Sequence, residues 1–375
     1  MKLKVMTVVG TRPEIIRLAE TIKACDRYFN HVLVHTGQNY DYTLNQIFFE
    51  NLELREPDYY LDAVGDHLGE TVGNIIAKSY AVIQEEKPDA LLVLGDTNSC
   101  LVAYSAKRCK VPIFHMEAGN RCFDMNVPEE INRRLVDHLS DINLPYTENS
   151  RKYLISEGIA EDRVYVTGSP MHEVLLKNKT QIENSNILKD LSLEKDQYIV
   201  VSAHREENID NEDHFFSLMN ALNDIAVQLD MRIVYSVHPR TEKFLKQRNF
   251  EFDRRVTQVK PLGFHDYVQL QKNSYCVLSD SGTLSEESAM LGFPAVLLRT
   301  STERPEALDA GSILVGGIHY KSIMQALQMS REMIANQEPL VLPDDYKDTN
   351  VSLKVVKIIQ SYTSIINKRT WGKDE

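Results

Sequence analysis

The stretch ALLVLGDTNSCLVAYSAKRCKVPIFHME, residues 90–117, decides the fold. A short apolar run stops at Gly95 and Asp96, and small polar residues turn the chain. Residues 99–108 then carry apolar side chains at helical spacing, and a second short apolar run stops at His115, Met116 and Glu117. Short uninterrupted apolar runs separated by an amphipathic helix are the pattern of parallel strands covered on both faces. Each of the two strands ends on a carboxylate, Asp96 and Glu117.

The same alternation extends in both directions. LKVMTVV, HVLVHT, INLPY and VYVTG read as further strands of the first set, with helices expected over 14–25 and 68–84. A polar tract without an apolar strand follows TGSP (167–170), and the alternation restarts with YIVVSAH, RIVYSVH, YCVLSD and PAVLLR. The expected fold class is α/β, two Rossmann-like doubly wound parallel-sheet domains. Their boundaries fall at 1–170 and 171–350, with a last amphipathic segment, 351–366, in a tail (351–375) that folds back on the first domain. Open parallel sheets bind ligands beyond the carboxyl ends of their strands, so two such sheets would face a cleft.

Composition narrows the function. The chain has 375 residues, 43% of them hydrophobic, enough for two cores. A formal net charge of −12 excludes the basic stripe that nucleic acid requires. Five cysteines, none in a CxxC spacing, indicate neither a disulfide framework nor zinc and suit a reducing cytoplasm. The N-terminal apolar run is too short for a signal peptide, and no stretch is long enough to span a membrane.

The strand ends hold the chemistry. In LSDSGTLSEE the backbone amides of Ser281, Gly282 and Thr283 precede a helix starting near Leu284, where the helix dipole favours a phosphate. Glu287, one turn on, is placed to take the hydroxyls of a ribose, and Arg304 in TERPEA to complete the anion pocket. The plainer reading makes the turn a helix cap and Glu287 a dipole partner. GTRPEIIR places Arg12 just outside a helix that opens with Pro13 and Arg17 one turn inside, so both cations can face a phosphate. No GxGxxG occurs, so bound NAD is not expected. Histidines sit at three strand ends, His115, His204 and His238, without the paired spacing of metal ligands. His204, beside Arg205, suits proton or phosphate duty, whereas His115 and His238 read as satisfied half-buried histidines. Pro128 opens a helix whose first turn holds Glu129 and Glu130, bringing a further carboxylate to the rim that carries Asp96 and Glu117. Crowded carboxylates raise one another's pKa, so one can serve as acid while another stays a base. Cys122 lacks a histidine base and reads as inert.

Taken in order, GTRPE, GDTNS, HMEAGNR, PEEINRR, AHREEN, SDSGTLSEE and TERPEA resemble the motifs of the non-hydrolysing UDP-N-acetylglucosamine 2-epimerases across nearly the whole chain. The resemblance implies the two-lobed GT-B fold, a homodimer, a UDP-sugar substrate and no cofactor or metal. It places the UDP moiety on Arg12, Arg17, His204, Ser281, Gly282, Thr283, Glu287 and Arg304, with His204 also in the catalytic set. Asp96, Glu117 and Glu129 become the catalytic carboxylates. Four departures stand out: the segment between HMEAGNR and PEE is two residues shorter, Arg17 replaces a lysine, SGT replaces SGG, and Glu206 stands in HREEN. The allosteric motif GQHREM reads GQNYDY, 37–42. GNRCFD, VPEEINRR and SDINLPY are most similar to the branch that makes UDP-N-acetyl-L-fucosamine from UDP-2-acetamido-2,6-dideoxy-L-talose for capsule and O-antigen. UDP-N-acetylglucosamine epimerisation to the manno isomer is the alternative within the family. A GT-B glycosyltransferase or a UDP-sugar sensor would use the same nucleotide pocket, but neither requires three carboxylates on the first domain.

Overall fold

The computed structural model of the protein describes residues 2–37, 45–300, 302–338 and 341–373. The departure from the allosteric motif lies, Gly37 apart, outside these residues. The chain divides into two compact units, 1–177 with 345–375, and 178–344.

The first unit is built on six strands: β1 (Lys4–Val9), β2 (Asn30–His35), β3 (Tyr59–Tyr60), β4 (Ala90–Leu94), β5 (Ile113–Met116) and β6 (Ile142–Leu144). All pair in parallel in the order β3-β2-β1-β4-β5-β6. The second unit repeats the plan with β7 (Tyr198–Ser202), β8 (Arg232–Ser236), β9 (Val256–Val259), β10 (Cys276–Ser279), β11 (Ala295–Leu297) and β12 (Leu314–Val315). Their order is β12-β11-β10-β7-β8-β9. In each sheet the strand order reverses between its first and fourth strands, β1 and β4 or β7 and β10, where doubly wound folds bind ligands.

Burial on both faces explains why the strands read as unbroken apolar runs. Ile199 and Val201 of β7 pack into one core with Cys276 and Leu278 of β10. Tyr198 and Val200 pack into the opposite core with Val277. Alternate residues thus serve two separate cores, and a polar residue at either parity would lose a buried face.

The strand expected at VYVTG does not form. Val164 makes an isolated bridge to Asn143, and Tyr165 and Thr167 donate to the carbonyls of Asn143 and Pro145, each at 3.0 Å. Pro145 has no N–H to return, so the ladder stops there. Three of the four outer strands, β3, β9 and β12, are two to four residues long and were not expected from the sequence. The final helix, Val351–Trp371, packs on Arg12–Tyr28 within the first unit. Among the described residues no helix is long and apolar enough to cross a membrane.

His35, at the end of β2, is fully buried and flanked by the rings of Phe49 and Tyr60. Its Nδ1 accepts the Gly37 N–H at 2.9 Å, and burial lowers its pKa to about 4. The unfolded chain takes up this proton below about pH 6.5 and the native fold only near pH 4. Stability is therefore complete above pH 6.5 and falls by about 3 kcal/mol as the pH drops to 4. Urea titrations of the protein and of His35→Asn across that range should show a flatter acid limb in the variant.

Candidate active site

The first unit gathers its functional side chains around the carboxyl ends of β1, β4 and β5. β1 ends at Gly10, and the helix Arg12–Tyr28 starts behind a capping box of Thr11 and Glu14. Glu14 accepts the N–H groups of Gly10 at 2.9 Å and Thr11 at 2.7 Å, and also bonds the hydroxyl of Ser99 after β4. Burial raises the Glu14 pKa against these bonds, so this carboxyl clamps the ends of the two switch-point strands together. The Arg12 guanidinium lies 5.9 Å from the Phe48 ring centroid.

Asp96, half-buried after β4, accepts Nε and Nη2 of Arg133 at 2.9 and 2.5 Å. Arg133 stands on the helix Pro128–Leu139, where its Nη1 also meets Glu130 at 3.3 Å. Glu117 follows β5 and bonds Arg17 directly, while Asn120 Nδ2 donates to its other oxygen at 3.2 Å. It adopts φ +62°, a left-handed conformation that costs a non-glycine residue on the order of 1 kcal/mol or more. Non-glycine residues held there concentrate at functional sites, because the surroundings must over-determine them. A Cβ on Gly95 would stand 3.4 Å from Glu117 Oε2, which brings the Glu117 carboxylate beside the backbone that carries Asp96. Glu129 lies half-buried in the first turn of the helix, and Glu130 is buried between Arg133 and Arg134. The structure therefore brings Asp96 and Glu117 to neighbouring strand ends and gives each an arginine. Arg17, read from sequence as a phosphate ligand, is one of these two.

The second unit builds its site around the ends of β7 and β10, and its organiser is Asp280. This wholly buried carboxylate accepts the N–H groups of His204 and Arg205, each at 2.9 Å, and Asn208 Nδ2 at 3.1 Å. Burial pushes its pKa up, and the same three donors pull it back. His204 Nδ1 lies 3.6 Å from Asp280 Oδ1, and its ring stacks on His238 with centroids 5.2 Å apart. Arg205 Nη2 meets Glu303 at 3.2 Å, and Arg299 Nη1 meets the same carboxylate at 2.5 Å.

Ser281, Gly282 and Thr283 form the half-buried turn before the helix Leu284–Leu291, with the Ser281 and Thr283 hydroxyls 2.9 Å apart. A Cβ on Gly282 would fall 2.6 Å from Glu303 Oε1, so any side chain there would have to displace the end of that carboxylate. Glu287 is buried and accepts Gln271 Nε2 at 2.8 Å. Arg304 is buried too, 3.0 Å from Glu286. His204, Arg205 and the SGT turn thus share one strand-end cluster, whereas Arg304 lies beneath it as a carboxylate partner. Sequence analysis missed Arg133, Asp280, Arg299 and Glu303. The spacing of Arg133 from Glu130, one helical turn, was the available signal. Among the described residues no group of three or more His, Cys, Asp or Glu is arranged to hold a metal.

Comparison with known proteins matches residues 23–360 to the family model described as UDP-N-acetylglucosamine 2-epimerase. A solved structure of UDP-N-acetylglucosamine 2-epimerase from Rickettsia bellii superposes with a TM-score of 0.92 at 43% identity, covering all of both chains. The Methanocaldococcus jannaschii enzyme, solved in complex with UDP-N-acetylglucosamine and UDP, gives 0.90 at 31% identity over 96% of this chain and all of that one. The UDP-2,3-diacetamido-2,3-dideoxy-D-glucuronate 2-epimerase of Pseudomonas aeruginosa is 33% identical over 88% of this chain and 92% of its own. The fold is the GT-B-like α/β architecture of these structures.

The buried Arg17–Glu117 pair yields a direct test. Arg17→Met strands a buried carboxylate and should lower unfolding free energy by about 3 to 5 kcal/mol. Arg17→Met combined with Glu117→Gln should recover part of that loss. Urea denaturation of the two single variants and the double variant measures the coupling.

Proposed function

Since the chain belongs to the UDP-N-acetylglucosamine 2-epimerase family and is an isomerase, we propose that it inverts carbon 2 of UDP-2-acetamido-2,6-dideoxy-β-L-talose, giving UDP-N-acetyl-β-L-fucosamine. The observation that carries the acid–base half of this reading is the arginine-paired Asp96 and Glu117 at adjacent strand ends.

Carbon 2 of a nucleotide sugar has no neighbouring carbonyl, so its hydrogen is too weakly acidic for a side chain to remove directly. In the proposed route the carbon 1–oxygen bond breaks with its electron pair leaving on UDP. A carboxylate takes the carbon 2 proton, and a carbon 1–carbon 2 double bond forms in a 2-acetamidoglycal. A second acid then returns a proton to the opposite face of carbon 2, and a UDP oxygen re-adds to carbon 1. Atoms and electrons balance without a redox partner. Asp96, Glu117 and Glu129 divide the proton transfers. Arg12, His204 and the amides of Ser281, Gly282 and Thr283 stabilise the diphosphate, with Arg205 beside them. Glu287 holds the ribose.

The 6-deoxy substrate is supported by the loop between Glu117 and Glu129. It presents exposed Phe123, seated edge-on against Tyr153 at 5.3 Å, together with exposed Met125 and half-buried Cys122. These apolar side chains, set beside Asp124 and Asn126 in the same loop, suit a methyl group at carbon 6, where a hydroxyl would require a polar partner. The names of the R. bellii and M. jannaschii proteins favour the second reading, UDP-N-acetylglucosamine itself. We also infer a homodimer, as the family resemblance implies.

Product formed in deuterium oxide should carry deuterium at carbon 2, and turnover should need no added nicotinamide. Asp96→Asn and Glu117→Gln should each lose on the order of 100-fold in kcat. Protium retained at the inverted carbon excludes the route. Separate incubation with the L-talo and D-gluco nucleotides, followed by NMR of carbon 2, decides the substrate. Turnover of the D-gluco compound alone assigns the second reading.

A further inference from the structure

We propose that His115 is a positioning residue of the epimerisation: a permanently protonated imidazole that, with Asp137 and Arg121, fixes the segments carrying Asp96, Glu117 and Glu129. The inference rests on the reading of those three carboxylates as the proton-transfer groups.

His115 lies on β5 and is fully buried. Its Nε2 is 2.8 Å from the Gly95 carbonyl, and its Nδ1 is 3.0 Å from Asp137 Oδ1. Both ring nitrogens therefore face oxygen acceptors. Nε2 makes a hydrogen bond, whereas the Nδ1 contact is not aligned as one and is an ion pair: a neutral ring would set an uncharged nitrogen 3.0 Å from a buried carboxylate oxygen. Only the imidazolium both donates to the Gly95 carbonyl and answers the charge of Asp137. The groups facing it are Asp137 from the helix Pro128–Leu139, Gly95 and Asp96 from the end of β4, and, across Asp137, Arg121. Burial alone would lower its pKa, but the close carboxylate of Asp137, the Gly95 carbonyl and Asp96 raise it.

Opposite charges continue behind it. Asp137 Oδ2 meets Arg121 Nη1 at 2.8 Å, and Arg121 binds both oxygens of Glu157, at 2.9 and 2.6 Å. His115 and Arg121 thus meet two carboxylates beneath the rim, and Arg134 and His138 also reach Glu157, at 3.4 and 3.7 Å. The mechanical consequence falls on the three acids. Gly95, at φ +72°, immediately precedes Asp96, and glycine leaves its carbonyl free to turn unless something holds it. His115 holds it. Asp137 accepts the Gly119 N–H, two residues after Glu117, at 3.2 Å. It also stands on the helix that begins beside Glu129, about two turns away. One buried network therefore ties down three elements that bear carboxylates. Small displacements of reacting groups cost large factors in rate, which is where such a network acts.

His115→Gln keeps a donor and removes the charge. It should lower kcat on the order of 100-fold, while KM for the UDP-sugar and the Kd of UDP stay within about threefold. A kcat within about threefold of native overturns the proposal, as does a variant that folds but loses UDP binding in proportion to kcat. Asp137→Asn removes the charge that holds the proton. In that variant kcat should acquire a new limb that falls as pH rises through the His115 midpoint, and an unchanged pH profile contradicts the proposal. Carbon-13 NMR of ring-labelled histidine in the native enzyme needs no variant. One resonance, assigned by its absence in His115→Gln or in His115→Asn, should stay imidazolium from about pH 6 to 9, and titration of that resonance inside the range contradicts the proposal. Native turnover in Asp96→Asn removes the underlying reading of the carboxylates instead.

Discussion

Carboxylates gathered at the rim of one parallel sheet repel one another, and a fold that needs them together must give each a cation it cannot lose. In the first unit Arg133 takes Asp96 and Arg17 takes Glu117, while Glu130 is held between Arg133 and Arg134. Two like charges a few ångströms apart near a protein surface cost about 4 kcal/mol, comparable to a large share of a domain's net stability. At Arg133 the guanidinium fork engages Asp96 while a further N–H reaches Glu130, a geometry that a lysine's compact ammonium would not match. The left-handed backbone of Glu117 belongs to the same constraint. Arg17, Asn120 and the glycine at 95 define where that carboxylate can go, and the chain bends to deliver it.

The second unit, proposed to hold the diphosphate, is shaped instead by a buried acid. Asp280 gathers the backbone of His204 and Arg205 together with Asn208, and so shapes the end of β7 from the end of β10. Glu303 then occupies two arginines and lies against Gly282. Carboxylates here hold cations in position, whereas cations in the first unit hold carboxylates. Both arrangements occur where the strand order reverses, and there the backbone has finished its sheet hydrogen bonds and can be shaped by side chains.

Much of this was legible in the sequence, for local reasons. A parallel strand buried on both faces must read as a continuous apolar run and must end where polarity returns, so β1, β4, β5, β7, β8 and β10 declared both themselves and the residues at their tips. Asp96, Glu117, His204 and Ser281 were placed at strand ends that way. Edge strands such as Tyr59–Tyr60 bury too little to leave a pattern, and at VYVTG the apolar alternation was present but Pro145 withheld the donor the ladder needed. Pairings were beyond reach. Arg17 and Glu117 are separated by 100 residues, and Arg205 and Glu303 by 98. Nothing in GTRPEIIR distinguishes an arginine that meets a phosphate from one that meets a carboxylate. His115 illustrates the same limit, since its role is fixed by two acceptors that lie 20 and 22 residues away on different elements.

The account stands on temporary cleavage of the bond between carbon 1 and the nucleotide, which the paired carboxylates exploit at carbon 2. Its most direct measurement is positional isotope exchange, in which the oxygen bridging carbon 1 and the β-phosphorus is labelled with oxygen-18. Released UDP can rotate its terminal phosphate before it re-adds, so label should move into the non-bridging positions of recovered nucleotide sugar during turnover. Inversion at carbon 2 with the label still wholly in the bridge would show that the bond never breaks, and would contradict the account.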